Sequence, residues 1–233
     1  MDQNRRWDIL KLILVLGVLA WFGFNALQPQ TTDKPVIYLY PEQEMAVDVQ
    51  IAYRGDLTVL YPAGTVQKDV RILKTETEKD HQRDMVSWQV TARPDGTLID
   101  HSDGGEYSYL FWEGVPESVK FDFSKGYCVA GEDTAAFLQE ILPQMGLTPR
   151  EYNEFIVYWL PQMQNNSYNI ISFQTDVYTD LAWLKVDPQP DSVLRVFMAA
   201  KSSPVYVEME PQELEGFVRE GFTVVEWGGT FVK

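Results

Sequence analysis

Two runs that join an aromatic residue, a carboxylate and glycine have the residue types for chemistry: Phe111-Trp112-Glu113-Gly114 and Glu226-Trp227-Gly228-Gly229. Each closes a predicted strand, where a loop can present side chains to a cleft. Glycoside hydrolysis takes two carboxyl groups about 5–10 Å apart, one as acid and one as base or nucleophile. Glu113 and Glu226 would be that pair, with Trp112 and Trp227 as a platform on which sugar rings stack. Strand alternation gives a plainer arrangement, with tryptophans in the core and the adjoining glutamates facing water. Tyr158, whose neighbours Glu151 and Glu154 are charged, reads as a contact residue on the exposed side of a helix.

Other chemistries find weaker support. Cys128 and His101 would make a thiol–imidazole pair. Gly126-Tyr-Cys-Val129, however, reads as a strand and not as the helix N-terminus that activates a thiol, so Cys128 reads as buried and inert. No Gly-x-Ser-x-Gly run occurs. Asp95, Asp100, Asp103 and Glu106 crowd two turns and offer oxygen ligands for calcium. They miss the alternate spacing of a calcium loop, and acidic residues favour turns for backbone reasons alone. With 1 cysteine and 2 histidines (His81 and His101), an intrachain disulfide and a four-cysteine zinc site are impossible and a His-rich site is disfavoured. The sequence predicts no metal and no cofactor.

The elements that would position these residues lie in a chain of 233 residues with a net charge of −15. Residues 1–34 hold four basic and three acidic side chains, leaving 15 basic and 31 acidic beyond them. That excess argues against nucleic acid, whose binding runs on Lys and Arg. Residues 9–27 are apolar apart mainly from Lys11 and Asn25, and a helix of that length spans roughly 28 Å. Arg5, Arg6 and Lys11 precede or open the run, which leaves the N-terminus in the cytoplasm and the rest outside. A cleaved signal peptide would look similar, but a cut after Ala26 puts Phe24 where a small residue is wanted. The organisation expected is a cytoplasmic tip and transmembrane anchor over 1–27, a stalk over 28–34, and an extracytoplasmic domain over 35–233.

Within that domain, residues 35–130 read as β-rich and 131–233 as a helix–strand half. Strand signals fall at Val36–Tyr40, Ala46–Tyr53, Leu57–Tyr61, Met85–Ala92, Tyr107–Trp112 and Val119–Val129. Lys68–Asp84 reads as a charged hairpin or excursion. Helical spacing covers Thr134–Met145. Thr148-Pro149-Arg150-Glu151 then makes a capping box for a second helix, with a core stripe of Tyr152, Phe155, Ile156 and Trp159. Strands return at Ile170–Phe173, Ala182–Val186, Val193–Ala199 and Phe222–Trp227, with a short helix expected over Pro211–Arg219. The fold class this predicts is α+β: a single membrane-spanning N-terminal helix, then a β-rich domain with helices on one side of the sheet.

Four runs occur together: Lys34-Pro-Val-Ile-Tyr-Leu-Tyr-Pro41, Tyr107-Ser-Tyr-Leu-Phe-Trp-Glu-Gly114, Glu151-Tyr-Asn-Glu-Phe-Ile-Val-Tyr-Trp-Leu-Pro-Gln-Met163 and Glu226-Trp-Gly-Gly229. With them the chain resembles an uncharacterised family of bacterial exported or membrane-anchored proteins across residues 34–229. The resemblance implies a cell-envelope address and no activity. The expected function is a non-enzymatic binding or interaction module whose partners are the membrane, through residues 9–27, and a cell-wall component or envelope protein. The alternative is an envelope hydrolase acting on glycan through Glu113 and Glu226.

Overall fold

The computed structural model describes residues 31–71 and 82–232. The apolar run 9–27 and most of the charged excursion, His81 included, lie outside the described residues. The described residues form thirteen strands and three α-helices. The strands are β1 (Asp33–Tyr40), β2 (Met45–Tyr53), β3 (Gly55–Tyr61), β4 (Thr65–Arg71), β5 (Gln82–Ala92), β6 (Leu98–Asp100), β7 (Glu106–Tyr107), β8 (Leu110–Pro116), β9 (Tyr127–Ala130), β10 (Tyr168–Phe173), β11 (Ala182–Asp187), β12 (Ser192–Ser203) and β13 (Thr223–Phe231). The helices are α1 (Thr134–Gln144), α2 (Pro149–Met163) and α3 (Thr175–Leu181).

These elements form three layers. A seven-stranded sheet has the order β3-β8-β1-β13-β12-β10-β9, and a second sheet runs β11-β2-β5-β6-β7 with β4 also on β5. Along β1 the period of two is strict. Val36 and Tyr38 join the core beneath α1 and α2, whereas Ile37 and Leu39 join the core between the two sheets. Trp159 and Phe155 of α2 fill the first core, and Trp112, Tyr53 and Tyr178 fill the second. All these side chains are at most 2% exposed, and burial of such area is the main stabilising term.

The expected architecture is therefore corrected. Strand makes up 48% and helix 19% of the described residues, and no helix among them is long and apolar enough to cross a membrane. The domain is a two-sheet sandwich with α1 and α2 on the outer face of one sheet and α3 packed at the core between the sheets, not one sheet backed by helices. Alternation signals a strand without saying which sheet receives it. Tyr107–Trp112 shows this directly: it breaks after Tyr107, and its two parts pair in different sheets, β7 with β6 and β8 with β1 and β3. Val119–Val129 is strand only from Tyr127, and α3 occupies the link between the strands expected at Ile170–Phe173 and Ala182–Val186. The helix expected over Pro211–Arg219 is irregular chain. At the N-terminal side Thr32, inside the expected stalk, is 1% exposed and already pairs with Gly114.

Candidate functional site

Chain register decides the fate of the carboxylate pair. Val36 of β1 lies opposite both Phe111 and Trp227, while Ile37 lies opposite both Leu110 and Glu226. Opposed residues share a face, so Trp227 and Glu113 look toward the helices, and Trp112 and Glu226 look toward the second sheet. Glu113 and Glu226 are on opposite faces of one sheet and do not come together. Both tryptophans are core residues, as alternation suggested. Glu226 is not water-facing, however, being 0% exposed.

A buried polar cluster surrounds Glu226. Arg195 lies directly opposite it on the parallel neighbour β12 and donates from Nε to Oε2 at 2.6 Å. Tyr178 Oη donates to Oε1 at 2.7 Å, and Trp112 Nε1 to the same oxygen at 3.2 Å. The guanidinium stacks 4.5 Å over the Tyr178 ring, and its Nη1 donates to the Ala182 carbonyl at 2.8 Å. Burial works against the guanidinium charge, but Glu226 and Tyr178 outweigh it and hold the arginine above its ordinary pKa. Desolvation, then the Glu226 charge, pushes the Tyr178 phenol well up, so it stays a neutral donor. Arg195 Nη2 is buried and has no hydrogen-bond partner. The sequence held a signal for this pair: Arg195 and Glu226 are single charges inside two apolar strand runs.

Arg195 also borders a cleft of about 840 Å³ at the place where β10 stops. Beyond Phe173 the edge of β12 loses its strand partner and is met by α3 instead, with Gln174 N–H bonded to the Phe197 carbonyl at 2.8 Å. One wall is set by buried amide chemistry. Gln174 Nε2 donates to the Asp122 carbonyl at 2.6 Å and to Ser172 Oγ at 2.7 Å. The other wall is the irregular segment 204–222, pinned by the Gln212 carboxamide. That group accepts from Phe173 N–H at 2.7 Å and donates to Phe173 C=O at 2.9 Å, imitating a strand neighbour. A second groove of about 780 Å³, lined by Trp183, Lys185 and Pro190, shares Thr179, Val193 and Arg195 with the cleft.

The cleft is acidic. Asp122, Asp176, Glu213 and Glu215 line it, and its two cations are already bridged, Lys125 to Glu210 at 2.5 Å and Arg195 to Glu226. Bonds from the Ser124 N–H and hydroxyl hold the Asp122 carboxyl below its usual value, so it stays charged. Such a site disfavours anions.

The remaining candidates are placed as follows. Tyr158 is half-buried, stands edge-on to Trp159 at 5.0 Å and has the Lys34 ammonium 5.3 Å from its ring. Burial, then Asp33 and Glu113, raise its phenol pKa. The polar side of α2 therefore differs from expectation. Glu151 is fully buried against Arg219 at 2.5 Å, and Glu154 accepts from Tyr38 Oη at 2.9 Å. His101 bonds Thr91 at 2.9 Å in an exposed setting, and Cys128 Sγ accepts from Val207 N–H at 3.3 Å. Asp95, Asp100 and Asp103 each accept a backbone N–H within their own turn.

Neither a family model nor a solved structure matches the chain. Over 115 residues, 49% of this chain, it is 33% identical to a protein of Butyrivibrio fibrisolvens described as "Uncharacterized protein in bglA 3'region", and the match spans 99% of that protein. The chain belongs to the same uncharacterised family as that protein.

Proposed function

We propose that this chain is a non-enzymatic binding module of the bacterial cell envelope. Residues 9–27 attach it to the membrane, and the domain faces outward. The cleft beside α3 takes a neutral cell-wall chain rich in carbonyl and hydroxyl groups. The observation that carries this reading is Arg195, a buried guanidinium at the border of both grooves whose Nη2 has no acceptor. A buried donor without a partner costs about 1–3 kcal/mol, which a ligand carbonyl oxygen recovers once the side chain turns Nη2 out to the groove. The acidic lining supports a neutral ligand over an anionic one. Hydrolysis through Glu113 and Glu226 has lost its geometry, because the two carboxylates lie on opposite faces of a sheet and both Glu226 oxygens are engaged.

Co-sedimentation of the full chain, in detergent, with purified bacterial cell-wall sacculi tests the reading. The wild-type chain is expected to pellet with the sacculi. Thr179→Trp with Val193→Trp, two exposed positions that narrow both grooves beside Arg195, is expected to abolish pelleting while the melting transition persists. Absence of pelleting by the wild type, or pelleting unaffected by the plug, would overturn it.

A further inference from the structure

The helices cover only part of the outer face of the seven-stranded sheet. At its β3 edge that face is open, and it is aromatic. Val59 of β3 lies opposite Glu113, and Tyr61 lies opposite Phe111, so Val59 points away from the second sheet, while Tyr61, at the strand's last position, reaches the edge where β7 begins the other sheet. Val59 is 44% and Tyr61 60% exposed, a large share for residues of their kind. Tyr61 meets the Tyr107 ring edge-on at 5.2 Å. Beside them the Lys34 ammonium lies 5.7 Å from the Tyr109 ring and 5.3 Å from that of Tyr158. Exposed apolar side chains grouped at one edge of a sheet face suit a surface that covers them.

The chain itself says what lies close. Thr32 is fixed at this edge. Its N–H donates to the Gly114 carbonyl at 2.8 Å, and its hydroxyl meets Tyr53 Oη at 2.8 Å. Gly114 is the neighbour of Glu113, which faces Val59. The apolar run ends at Leu27, five residue steps before Thr32, and five steps reach at most about 18 Å. If residues 9–27 enter the bilayer, as the proposed function holds, this edge of the domain cannot stand away from it.

We propose that the outer face of β3 and β8, with Tyr61, Phe111 and Val59 at its centre, rests on the lipid bilayer at the boundary of headgroups and acyl chains. Tyrosine and phenylalanine have the apolar body, and tyrosine the polar tip, that this boundary favours. Lys34, stacked on two rings, keeps its ammonium toward the headgroups. Charge contributes little. Asp33 and Glu113 flank the patch, and residues 35–233 carry an acidic excess, so the contact rests on apolar insertion and is insensitive to salt.

The test uses the full chain in vesicles of phosphatidylethanolamine and phosphatidylglycerol, with Cys128→Ser removing the single native thiol. An environment-sensitive fluorophore is attached at Val59→Cys or Tyr61→Cys, with Gln89→Cys, exposed on the outer face of the other sheet, as control. Lipids bearing a nitroxide are expected to quench the label at 59 and 61 at least two-fold more than at 89, equally at low and high salt. A chain that floats with the vesicles but shows equal quenching at all three positions overturns the docking and leaves membrane attachment standing. A signal at 59 that follows protein concentration instead of nitroxide content assigns the patch to a second copy and also overturns it. A chain that does not float overturns both readings.

Discussion

The Arg195–Glu226 pair makes the sharpest quantitative prediction. Glu226 is 0% and the Arg195 side chain 9% exposed, so removing one partner strands a charge between two sheets. Arg195→Met leaves the carboxylate with only Tyr178 and Trp112 as donors. Glu226→Gln keeps an oxygen for those donors but leaves the guanidinium with the Ala182 carbonyl alone. Each substitution is expected to cost about 3–5 kcal/mol. The double variant Arg195→Met with Glu226→Gln carries no charge, keeps the acceptor for Tyr178 and Trp112, and loses only one amide partner and one carbonyl partner. It is expected to cost about 1–3 kcal/mol. The double variant should thus be more stable than either single one, with a coupling above about 3 kcal/mol, strong even for residues in contact. Urea unfolding of the full chain in detergent, followed by near-ultraviolet circular dichroism, gives the four free energies from midpoint and slope. Additive costs, or either single variant within about 1 kcal/mol of wild type, would refute the claim that the pair is desolvated and mutually dependent.

Two further outcomes follow from local geometry. A Cβ on Gly229 would lie 2.5 Å from the Met198 carbonyl oxygen and 2.7 Å from Trp159 Cζ2, so Gly229→Ala is expected to cost about 1–3 kcal/mol by overpacking. Gly216→Ala, whose Cβ would meet only Gln144 O at 3.6 Å, should leave the melting temperature nearly unchanged; equal effects at the two sites would count against the packing argument. Burial, then Asp33, raise the Glu113 carboxyl above its ordinary 4.5, so the folded chain binds that proton more tightly than the unfolded one. Its contribution is fully present below the ordinary value and falls as pH rises through it toward the folded value. Glu113→Gln should flatten that decline and raise the melting temperature at neutral pH, and a lower one would contradict the sign.

The parts of the fold legible in the sequence are those fixed by local spacing. The box Thr148-Pro149-Arg150-Glu151 does start α2, with Thr148 N–H donating to Glu151 Oε2 at 2.7 Å, and its stripe of Phe155, Ile156 and Trp159 is core. What spacing could not supply is partnership across the chain. Glu151 looked exposed because the cation of its own helix, Arg150, reaches away from it to the Asp95 carbonyl; Arg219, far along the sequence, covers it and turns it inward. The same holds for Tyr158, which Lys34 and Trp159 fold into the edge of the core. Alternation located Trp112 and Trp227 correctly, yet the face of each glutamate depended on β1 sitting between β8 and β13, a register set by long-range pairing.

The irregular segment 204–222 extends that argument to the cleft. In place of the helix expected over Pro211–Arg219, the chain is irregular, and its Leu214 and Phe217 side chains pack on the core beneath α1 and α2. A helix there would satisfy its own backbone, whereas this segment is anchored from outside. Gln212 clamps Phe173, the Tyr127 hydroxyl donates to the Gln212 carbonyl at 3.0 Å, and Arg219 reaches both Glu151 and the Gly146 carbonyl. Those anchors hold the chain extended across the gap left where β10 ends, and the gap is what becomes the cleft. The candidate site is thus built mainly from two glutamines without a chemical signature in sequence and an arginine marked only as a lone charge in an apolar run, and their roles arise from the partners the fold brings to them.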